Sequence, residues 1–401
     1  MLLSKRIPSM IYFVSDQYRN TSVRLGLNMK PTQSPWRKLL KILKWTAICF
    51  AAILVLALST VLITRAVKAG QAKIDTKNGI QESLYVELNG ISQFIQIRGE
   101  NKENPIIVML HGGPGSPITF LSSYYQRALE QEYTLVNFDQ RGSGRTYYAN
   151  LTREAPLSTQ AVLADVDALI EYLLSRFNQE KVIVLGHSWG TVLGSVYVKE
   201  HPEKVAAYIG VGQCVSNMDG DAFTAKEAIR RAQEQGDEES AQKVSALLEQ
   251  YSVSAGDPSK AFLLAMEMRH IYAPYFHYKG ELSMPQTIWL GVSSPDMSLA
   301  DMRWFFNMSG PLEKFLALEE PLLRDCLSFR LQELGNEYSV PMYYIAGEND
   351  WTTPAALVKE YYQTVHAPNK ELIILKNAGH NPFLDDPVAF CATVRDLLQN
   401  Q

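Results

Sequence analysis

The sequence has little cysteine and no cysteine–histidine cluster of the kind that holds a structural metal. Its four cysteines, Cys49, Cys214, Cys326 and Cys391, lie far apart, and no histidine stands near them at metal-ligand spacing. Structural zinc sites need closely spaced ligands, and disulfide frameworks need cysteines in conserved-looking patterns. The pattern therefore indicates neither a metal site nor a disulfide framework, and we expect free thiols packed among apolar side chains.

The chain also lacks a strong excess of charge of one sign. Charged residues make up 20% of its 401 residues, the formal net charge is -4, and no long basic block interrupts the last three quarters of the chain. Nucleic-acid-binding surfaces depend on clustered lysine and arginine, so we expect no nucleic-acid partner. With 46% hydrophobic residues, the chain can bury a large core and an inserted subdomain. A peptide or small-molecule substrate fits this composition better.

One long hydrophobic run is present, at residues 45–64, with the sequence WTAICFAAILVLALSTVLIT. About 20 residues at a rise of about 1.5 Å each match a hydrocarbon core of about 30 Å, which predicts a transmembrane helix. Residues 1–44 are rich in lysine and arginine and contain one acid, Asp16. This bias predicts a cytoplasmic N-terminal segment, a single-pass helix and an extracytoplasmic remainder. The alternatives are a cleaved secretory signal and a buried core helix.

After a polar linker at 65–80, the chain alternates short β-branched runs with amphipathic helical runs. This alternation is typical of a mainly parallel sheet flanked by helices, an α/β fold. Asn89-Gly90, between two apolar runs, predicts an antiparallel hairpin at the start. A charged, helical stretch at 216–337 interrupts the alternation and predicts a helical cap, or lid. The core would then comprise residues 81–215 and 338–401, with strands buried on both faces.

The run VIVLGHSWG ends a predicted strand with Ser188 between Gly186 and Gly190. A serine in a Gly-x-Ser-x-Gly turn between a strand and a helix is the nucleophile elbow, in which small residues flank a very tight turn. The following helix would begin at Trp189, so its N-terminus would favour negative charge near the serine oxygen. This predicts a nucleophilic serine, although the motif alone is weak because glycine and serine occur in many turns.

A nucleophilic serine needs a base and an acid that orients the base. Two later predicted strands end in suitable residues, Asp350 in VPMYYIAGEND and His380 in KELIILKNAGH. Carboxyl ends of strands form the sites of open α/β sheets, so we predict that Ser188, Asp350 and His380 meet there. Glu348 is an alternative acid. His111 and His187 stand next to glycine-rich turns, where a structural role is the better interpretation.

The run VMLHGGPGSP provides the remaining part of a hydrolase site. A glycine-rich turn after the third strand can supply a backbone N–H to an oxyanion hole, together with the N–H of the residue after the nucleophile. Gly113 is the first choice for this donor and Gly112 the second, with Trp189 as the partner donor. In FDQRGSGRT we expect Asp139 and Arg141 to form an ion pair that supports the glycine-rich loop.

Three motifs together, HGGPG at 111–115, DQRGSGRT at 139–146 and GHSWG at 186–190, resemble those of the proline iminopeptidases, peptidase family S33 of the α/β-hydrolase superfamily. The resemblance covers roughly residues 80–400. It implies an α/β-hydrolase fold, Ser188 as nucleophile, Asp350 as orienting acid and His380 as base. It also implies release of an N-terminal residue, often proline, through an acyl-enzyme, without a metal or another cofactor.

The cap departs from this family. The family's aminopeptidases hold the substrate's amine with cap glutamates, one in a Trp-rich WxxWE setting, and residues 216–337 contain no such setting. The cap acids Glu227, Glu267 and Glu281 are open alternatives, for which a solvated helix face is the simpler interpretation. Glu267 and Gly112 are the candidate substrate-binding residues.

These observations predict a membrane-anchored serine hydrolase that acts on a peptide or a small amide or ester. Two alternatives remain, an esterase or lipase for acyl esters and a non-catalytic sensor that binds a ligand under the cap. An epoxide hydrolase is disfavoured because an acid would replace Ser188. Nothing in the sequence indicates an oligomeric state.

Overall fold

The computed structural model describes residues 35–399. These divide into two compact units, one ending at Leu58 and the other beginning at Ser59. The first unit is the N-terminal part of one long helix, α1 (Pro35–Gln71), with exposed side chains from 36 to 58. Among the described residues, α1 is the one helix that is long and apolar enough to cross a membrane. The basic segment at 1–34 lies outside the described residues.

Helix α1 extends beyond the predicted span of 45–64 at both ends. It begins at Pro35, and it continues to Gln71 through the first part of the expected linker. Alanine and lysine favour helix in this part, AVKAGQ. In the second unit, Val61, Thr64, Arg65 and Lys68 are half-buried, whereas their neighbours are exposed. Residues at this spacing share one helix face, so the end of α1 packs on the second unit rather than forming a linker.

The second unit contains a mainly parallel sheet. Its strands are β1 (Ile80–Leu88), β2 (Ile91–Gly99), β3 (Ile106–Leu110), β4 (Thr134–Phe138), β5 (Val182–His187), β6 (Val205–Val211), β7 (Met342–Gly347) and β8 (Lys370–Leu375). They lie in the order β1-β2-β4-β3-β5-β6-β7-β8, with β1 and β2 antiparallel to their neighbours and the others parallel. The predicted α/β fold class and the opening hairpin are confirmed.

The hairpin and the far edge of the sheet follow from simple rules. Asn89 and Gly90 both have positive φ, 48° and 76°, which a two-residue turn between twisted strands requires. Strands β3 to β7 are almost wholly buried, as predicted. The expectation was wrong for β8, which is only partly buried. It pairs with β7 alone in the sheet, because an edge strand has a neighbour on one side.

The remaining α-helices lie around the sheet or in the insertion. They are α2 (Ser122–Tyr125), α3 (Gly144–Ala149), α4 (Thr159–Phe177), α5 (Trp189–Glu200), α6 (Asn217–Glu234), α7 (Glu238–Ser252), α8 (Pro258–Tyr272), α9 (Met284–Val292), α10 (Leu299–Met308), α11 (Leu312–Ser328), α12 (Ala355–Thr364), α13 (Pro382–Asp385) and α14 (Pro387–Gln399). Ser158 is the N-cap residue of α4, and its Oγ accepts the Ala161 N–H at 3.1 Å. Apolar clusters cover both sheet faces.

Helices α6 to α11 form an insertion between β6 and β7, which we call the cap. Its two ends lie side by side, because Ser216 and Arg330 form a β-bridge and Leu331 N–H donates to Val215 O at 2.8 Å. Helices α6, α7 and α8 bury a small apolar cluster of their own around Ala228, Val244 and Met268. The cap therefore stands over the carboxyl ends of β6 and β7, next to the loops that carry the predicted site residues.

Candidate active site

Ser188 occupies a strained turn between β5 and α5. Its backbone has φ 53° and ψ -120°, a conformation that non-glycine residues rarely adopt and that clusters at functional sites. A Cβ on Gly186 would lie 2.4 Å from Gly190 O, and a Cβ on Gly190 would lie 1.9 Å from Leu110 O. Both positions thus require glycine for steric reasons. The packing holds the Ser188 hydroxyl at the carboxyl edge of the sheet.

The structure brings the three predicted residues together. The Ser188 Oγ lies 2.9 Å from His380 Nε2, and His380 Nδ1 lies 3.1 and 3.0 Å from the Asp350 carboxylate oxygens. Each residue follows a different strand, β5, β7 or β8. A carboxylate at Nδ1 fixes the proton there and leaves Nε2 free to accept from a hydroxyl. This arrangement can remove the Ser188 proton.

Asp350 is buried but well hydrogen-bonded. Its Oδ1 accepts the N–H groups of Thr352 and Thr353 at 2.9 and 2.8 Å, and its Oδ2 accepts the Thr353 hydroxyl at 2.8 Å. Burial raises the pKa of Asp350, but the His380 charge and the hydrogen bonds from His380 and Thr353 outweigh it, so the net pKa is lowered. The carboxylate is therefore ionised when it faces His380. Glu348, the alternative acid, is exposed.

The glycine-rich loop after β3 lies directly against Ser188. A Cβ on Gly112 would be 3.0 Å from Ser188 Cβ, and Gly113 has a positive φ of 115°. Gly113, Pro114 and Ser188 line one cavity, and Trp189 opens α5 next to the serine. This loop and the helix N-terminus flank the serine oxygen, where an oxyanion hole needs its donors.

Gln140 connects these two sides of the site, a role that the sequence did not reveal. Its N–H donates to His111 Nε2 at 3.1 Å and its Nε2 donates to His111 O at 3.0 Å. Its Oε1 accepts from the Trp189 indole at 3.1 Å. Gln140 thus holds the start of the glycine-rich loop and the start of α5 in one buried network. The DQRGSGRT motif marked this residue but not its partners.

The other two histidines near the site are buried within the fold. Burial lowers the pKa of His111 to about 4 and that of His187 to about 3. The His111 ring accepts from Gln140 N–H, and His187 Nε2 lies 2.9 Å from His380 O. Both rings are neutral at pH 7, and neither contacts the Ser188 hydroxyl. This placement is the one expected for structural histidines.

Asp139 and Arg141, both in the described part of the chain, do not form the expected ion pair, so this prediction was wrong. Arg141 forms a bidentate pair with Asp165 of α4 at 2.8 Å. Asp139 accepts from the Thr119 hydroxyl and the Arg145 N–H, both at 2.8 Å. Residues two apart in a turn point in different directions, and the tertiary fold offered Arg141 a better partner. Asp139 nevertheless braces the loop that follows HGGPG.

The cavity at Ser188 lies beneath the cap and has a mixed lining. It has a volume of about 80 Å³, and polar residues such as Asn217 and Arg269 line it together with the apolar cap side chains Phe262, Ala265, Met266, Leu323 and Leu327. The buried acid on its wall, Asp221, already accepts from Arg269 at 2.7 Å and Tyr251 at 2.8 Å. The cavity therefore offers room for a small group next to Ser188.

One cap acid that the sequence did not single out is Glu319 of α11. It is 1% exposed, and within residues 35–399 neither of its carboxyl oxygens has a hydrogen-bond partner. A Cβ on Gly115 would lie 2.8 Å from Glu319 Oε1, so the carboxyl group abuts the HGGPG loop. Burial raises the pKa of Glu319 to about 8. A buried carboxyl group without a partner is rare in proteins, which marks this position for a ligand.

The cap acids considered from the sequence lie elsewhere. Glu267 is exposed on α8 and, like Glu319, is not among the residues that line the Ser188 cavity. Glu227 binds Arg230 and Arg231, and Glu281 binds His277 at 2.7 Å. Periodicity could not separate these acids from Glu319, because only tertiary packing decides which helix face turns towards the core.

The fold and the site define the class of protein, and comparison with known sequences agrees with it. The sequence pattern of the alpha/beta hydrolase fold matches residues 105–387. The chain therefore belongs to the α/β-hydrolase family.

Two known sequences and one solved structure are similar to most of the chain. The chain is 27% identical over 329 residues to the probable aminopeptidase YbaC of Bacillus subtilis (strain 168), with 80% of this chain and 97% of that protein covered. It is 25% identical to a proline iminopeptidase of Heyndrickxia coagulans, with 79% and 98% covered. A solved membrane phospholipase A, a bacterial virulence factor, has a similar fold, with TM-score 0.55, 16% identity and coverage of 91% and 98%. The resemblance to proline iminopeptidases is thus confirmed.

Proposed function

We propose that this protein is a membrane-anchored serine hydrolase that works through an acyl-enzyme on Ser188. The observation that carries the proposal is the continuous chain from Ser188 Oγ through the His380 ring to the buried Asp350 carboxylate, with separations of 2.9 and 3.0 Å. This chain supplies a nucleophile, a base and an orienting acid, the set that hydrolysis by serine requires.

In the acylation step, Ser188 Oγ attacks the substrate carbonyl carbon and its proton passes to His380 Nε2. The tetrahedral intermediate then collapses, the bond to the leaving amine or alcohol breaks, and His380 returns the proton to the leaving group. Water attacks the acyl-enzyme in the same way, giving its proton to His380, which returns it to Ser188 Oγ. The products are the acid and the amine or alcohol, and the enzyme is unchanged.

The developing oxyanion would be held by backbone N–H groups of Gly113 and Trp189. Support comes from their positions beside Ser188, one in the loop after β3 and the other at the first turn of α5. Preorganised donors of this kind often contribute the largest single share of catalysis, and loss of one typically costs about 10²- to 10³-fold in kcat.

The substrate class that we propose is a peptide or aminoacyl amide with a free N-terminus, so that the reaction is that of an aminopeptidase. The names of the two curated relatives support this choice. An aminopeptidase needs an acid for the substrate's ammonium, and Asp221 is already paired with Arg269. Glu319 has no such partner among the described residues, so we assign amine recognition to Glu319. An ammonium beside it would lower its pKa and stabilise the carboxylate.

The cellular position that we propose follows from α1. Its apolar stretch, which ends at Thr64, would span the bilayer, and the basic residues before it would keep the N-terminus in the cytoplasm. The catalytic unit would then face the extracytoplasmic side. The exposed apolar side chains of α1, such as Phe50, Leu54 and Leu58, support an anchor, because a core helix of the soluble unit would bury them.

An acyl ester is the second candidate substrate. The observation that favours it is the apolar part of the Ser188 cavity lining, formed by Phe262, Met266 and Leu323. An acyl chain could occupy this space without needing a charged partner. Such an esterase would share Ser188, His380 and Asp350 with the aminopeptidase but would make no use of the Glu319 charge.

Labelling of the full-length protein by a fluorophosphonate probe tests the hydrolase proposal. We expect labelling of the wild type and none of Ser188→Ala, with Ser195→Ala as the matched control, since Ser195 is a buried serine of α5 outside the site. Labelling that persists in Ser188→Ala would place the nucleophile elsewhere. A wild type that resists the probe would instead favour a ligand-binding sensor.

The variant Glu319→Gln separates the two substrate classes. For a prolyl amide we expect KM to rise about tenfold or more, as the loss of one charged hydrogen bond to the ammonium implies. For a short acyl ester we expect kcat/KM to stay the same. Equal effects on both substrates would contradict amine recognition by Glu319, and ester turnover without any amide turnover would favour the esterase.

A further inference from the structure

The cap carries a helix that is unusually apolar and exposed. Side chains from Ser283 to Trp289, which include the start of α9, are all exposed. Met284 is 69% exposed, Ile288 48% and Trp289 41%. The segment 282–295, LSMPQTIWLGVSSP, contains no charged residue, although 20% of the chain is charged. Contiguous apolar surface of this kind marks an interaction site on a soluble domain.

The neighbourhood of α9 indicates what covers it. Arg65 and Lys68 are the first cations after the apolar run of α1. Lys68 Nζ donates to Ser293 Oγ at 2.6 Å, and Arg65 Nη2 donates to the backbone carbonyls of Pro295 and Met297. The segment 293–297 directly follows α9, so the C-terminal end of α9 is fixed to the end of the apolar run.

Cations that follow a transmembrane run lie at the level of the lipid headgroups, where tryptophan is also enriched. The contacts of Arg65 and Lys68 therefore place segment 293–297 at that level. Trp289, four residues before Ser293, lies one helical turn away, with Ile288 beside it. Leu299, at the start of α10, is a further exposed apolar residue next to this contact, at 74%.

We infer that α9 docks on the outer surface of the same bilayer that α1 spans, with Met284, Ile288 and Trp289 inserted among the lipid headgroups and upper acyl chains. This inference rests on the proposed membrane anchor. The inner side of α9 packs on the protein, where Gly291 lies near Phe120 and Leu290 joins the apolar cluster of the core. An interfacial helix has this division, with one face on lipid and the other held away from it.

The position of α9 also connects the bilayer to the site. A cleft that contains His380 is lined by Leu282 and Thr287, just before and within α9. The turn of the cap that precedes α9 packs on the loop that carries His380. Tyr278 OH and Gly379 N–H both donate to Asp385 Oδ2 at 2.8 Å. Docking of α9 would thus place the mouth of the cleft that contains His380 at the membrane surface. An amphiphilic amide or ester could then enter the cleft from the bilayer.

Lipid quenching of a fluorophore on α9 tests the docking directly. The full-length chain with Cys49→Ser, which removes the exposed thiol, and Ile288→Cys is labelled with an environment-sensitive dye and reconstituted in phosphatidylcholine vesicles. Val253→Cys is the matched control, because Val253 is an apolar cap residue that is 81% exposed. We expect a doxyl lipid to quench the label at position 288 at least about three times as strongly as the label at position 253.

The outcomes separate this inference from the anchor on which it rests. Flotation of the chain with vesicles after an alkaline wash reports the anchor alone, and its failure overturns both proposals. Flotation with equal quenching at 288 and 253 overturns the docking of α9 and leaves the anchor standing. Disulfide cross-linking between two copies through position 288, without quenching, assigns the face to a second copy and also overturns the inference.

A functional readout uses the double variant Ile288→Glu, Trp289→Glu. On an ester embedded in vesicles we expect about tenfold lower turnover, because two charged side chains oppose interfacial binding. Turnover of a soluble short-chain ester stays unchanged, since neither residue lines the catalytic cleft. Val253→Glu is the control. A loss on both substrates would indicate damage to the site rather than loss of docking.

Discussion

The catalytic edge of the sheet and the cap above it are built on opposite principles. At the sheet edge, Asp350 is 2% exposed and each of its oxygens has protein partners. In the cap, Glu319 is equally buried yet lacks a partner among the described residues, and α9 exposes apolar side chains. At Asp350 the sheet edge is thus complete without a ligand, whereas the cap has groups that a ligand or a membrane would satisfy. Under the proposed function, the sheet edge carries the chemistry and the cap selects the substrate.

The largest expected effect concerns Asp350, at the sheet edge. Asp350→Asn keeps the size of the side chain but can stabilise the wrong His380 tautomer, and we expect kcat to fall by about 10⁴-fold. Steady-state kinetics on an activated ester measure it. Glu348→Gln is the control, because Glu348 is exposed on the same loop. A loss of kcat in Glu348→Gln that matched Asp350→Asn would reassign the acid.

The second prediction concerns Glu319, the buried acid of the cap that lacks a partner among the described residues. A carboxyl group whose pKa is raised on folding, from 4.5 to about 8 for Glu319, contributes stability at low pH and loses it as pH rises through about 8. Glu319→Gln removes this titration. Between pH 6 and pH 9, we expect the free energy of unfolding of the wild type to fall on the order of 3 kcal/mol more than that of the variant.

Thermal unfolding of the full-length protein in detergent at the two pH values measures this difference. The matched control is Glu320→Gln, since Glu320 lies next to Glu319 on α11 but pairs with Arg324 at the surface. Parallel pH profiles of the wild type and Glu319→Gln would show that folding does not raise the pKa of the carboxyl group at 319, and the contrast between the two regions would disappear.

The smallest effect is expected at Gln140, which links the two proposed oxyanion donors. Gln140→Leu removes the hydrogen bonds to His111 O and to the Trp189 indole, so the glycine-rich loop and α5 lose their common brace. We expect kcat to fall about tenfold with little change in KM, less than the loss of a donor itself, because the backbone N–H groups remain. Gln140→Glu keeps the acceptor for Trp189 and should recover part of the rate. A change confined to KM would contradict a positioning role.

Much of the site was predictable because its residues have local signatures. Gly186 and Gly190 mark a turn that admits no Cβ, and Asp350 and His380 each follow a buried strand, so chain order and strand ends brought the three residues together. The partner of Arg141 was not predictable, because Asp165 lies on another element, α4. The partial exposure of β8 was likewise not predictable, because it depends on the position of β8 at the sheet edge, and the apolar sequence of β8 does not indicate that position.

The sequence by itself determined the alternation of strands and helices, the hairpin at Asn89-Gly90 and the tight Gly-x-Ser-x-Gly turn at Ser188, because these depend on backbone sterics and on periodic burial along the chain. Only the tertiary structure decided which cap acid is buried, which helix face remains exposed and how Arg65 and Lys68 meet the end of α9. These features depend on contacts between residues far apart in the chain, more than 200 positions for Arg65 and Lys68, and such contacts leave no pattern in the local sequence.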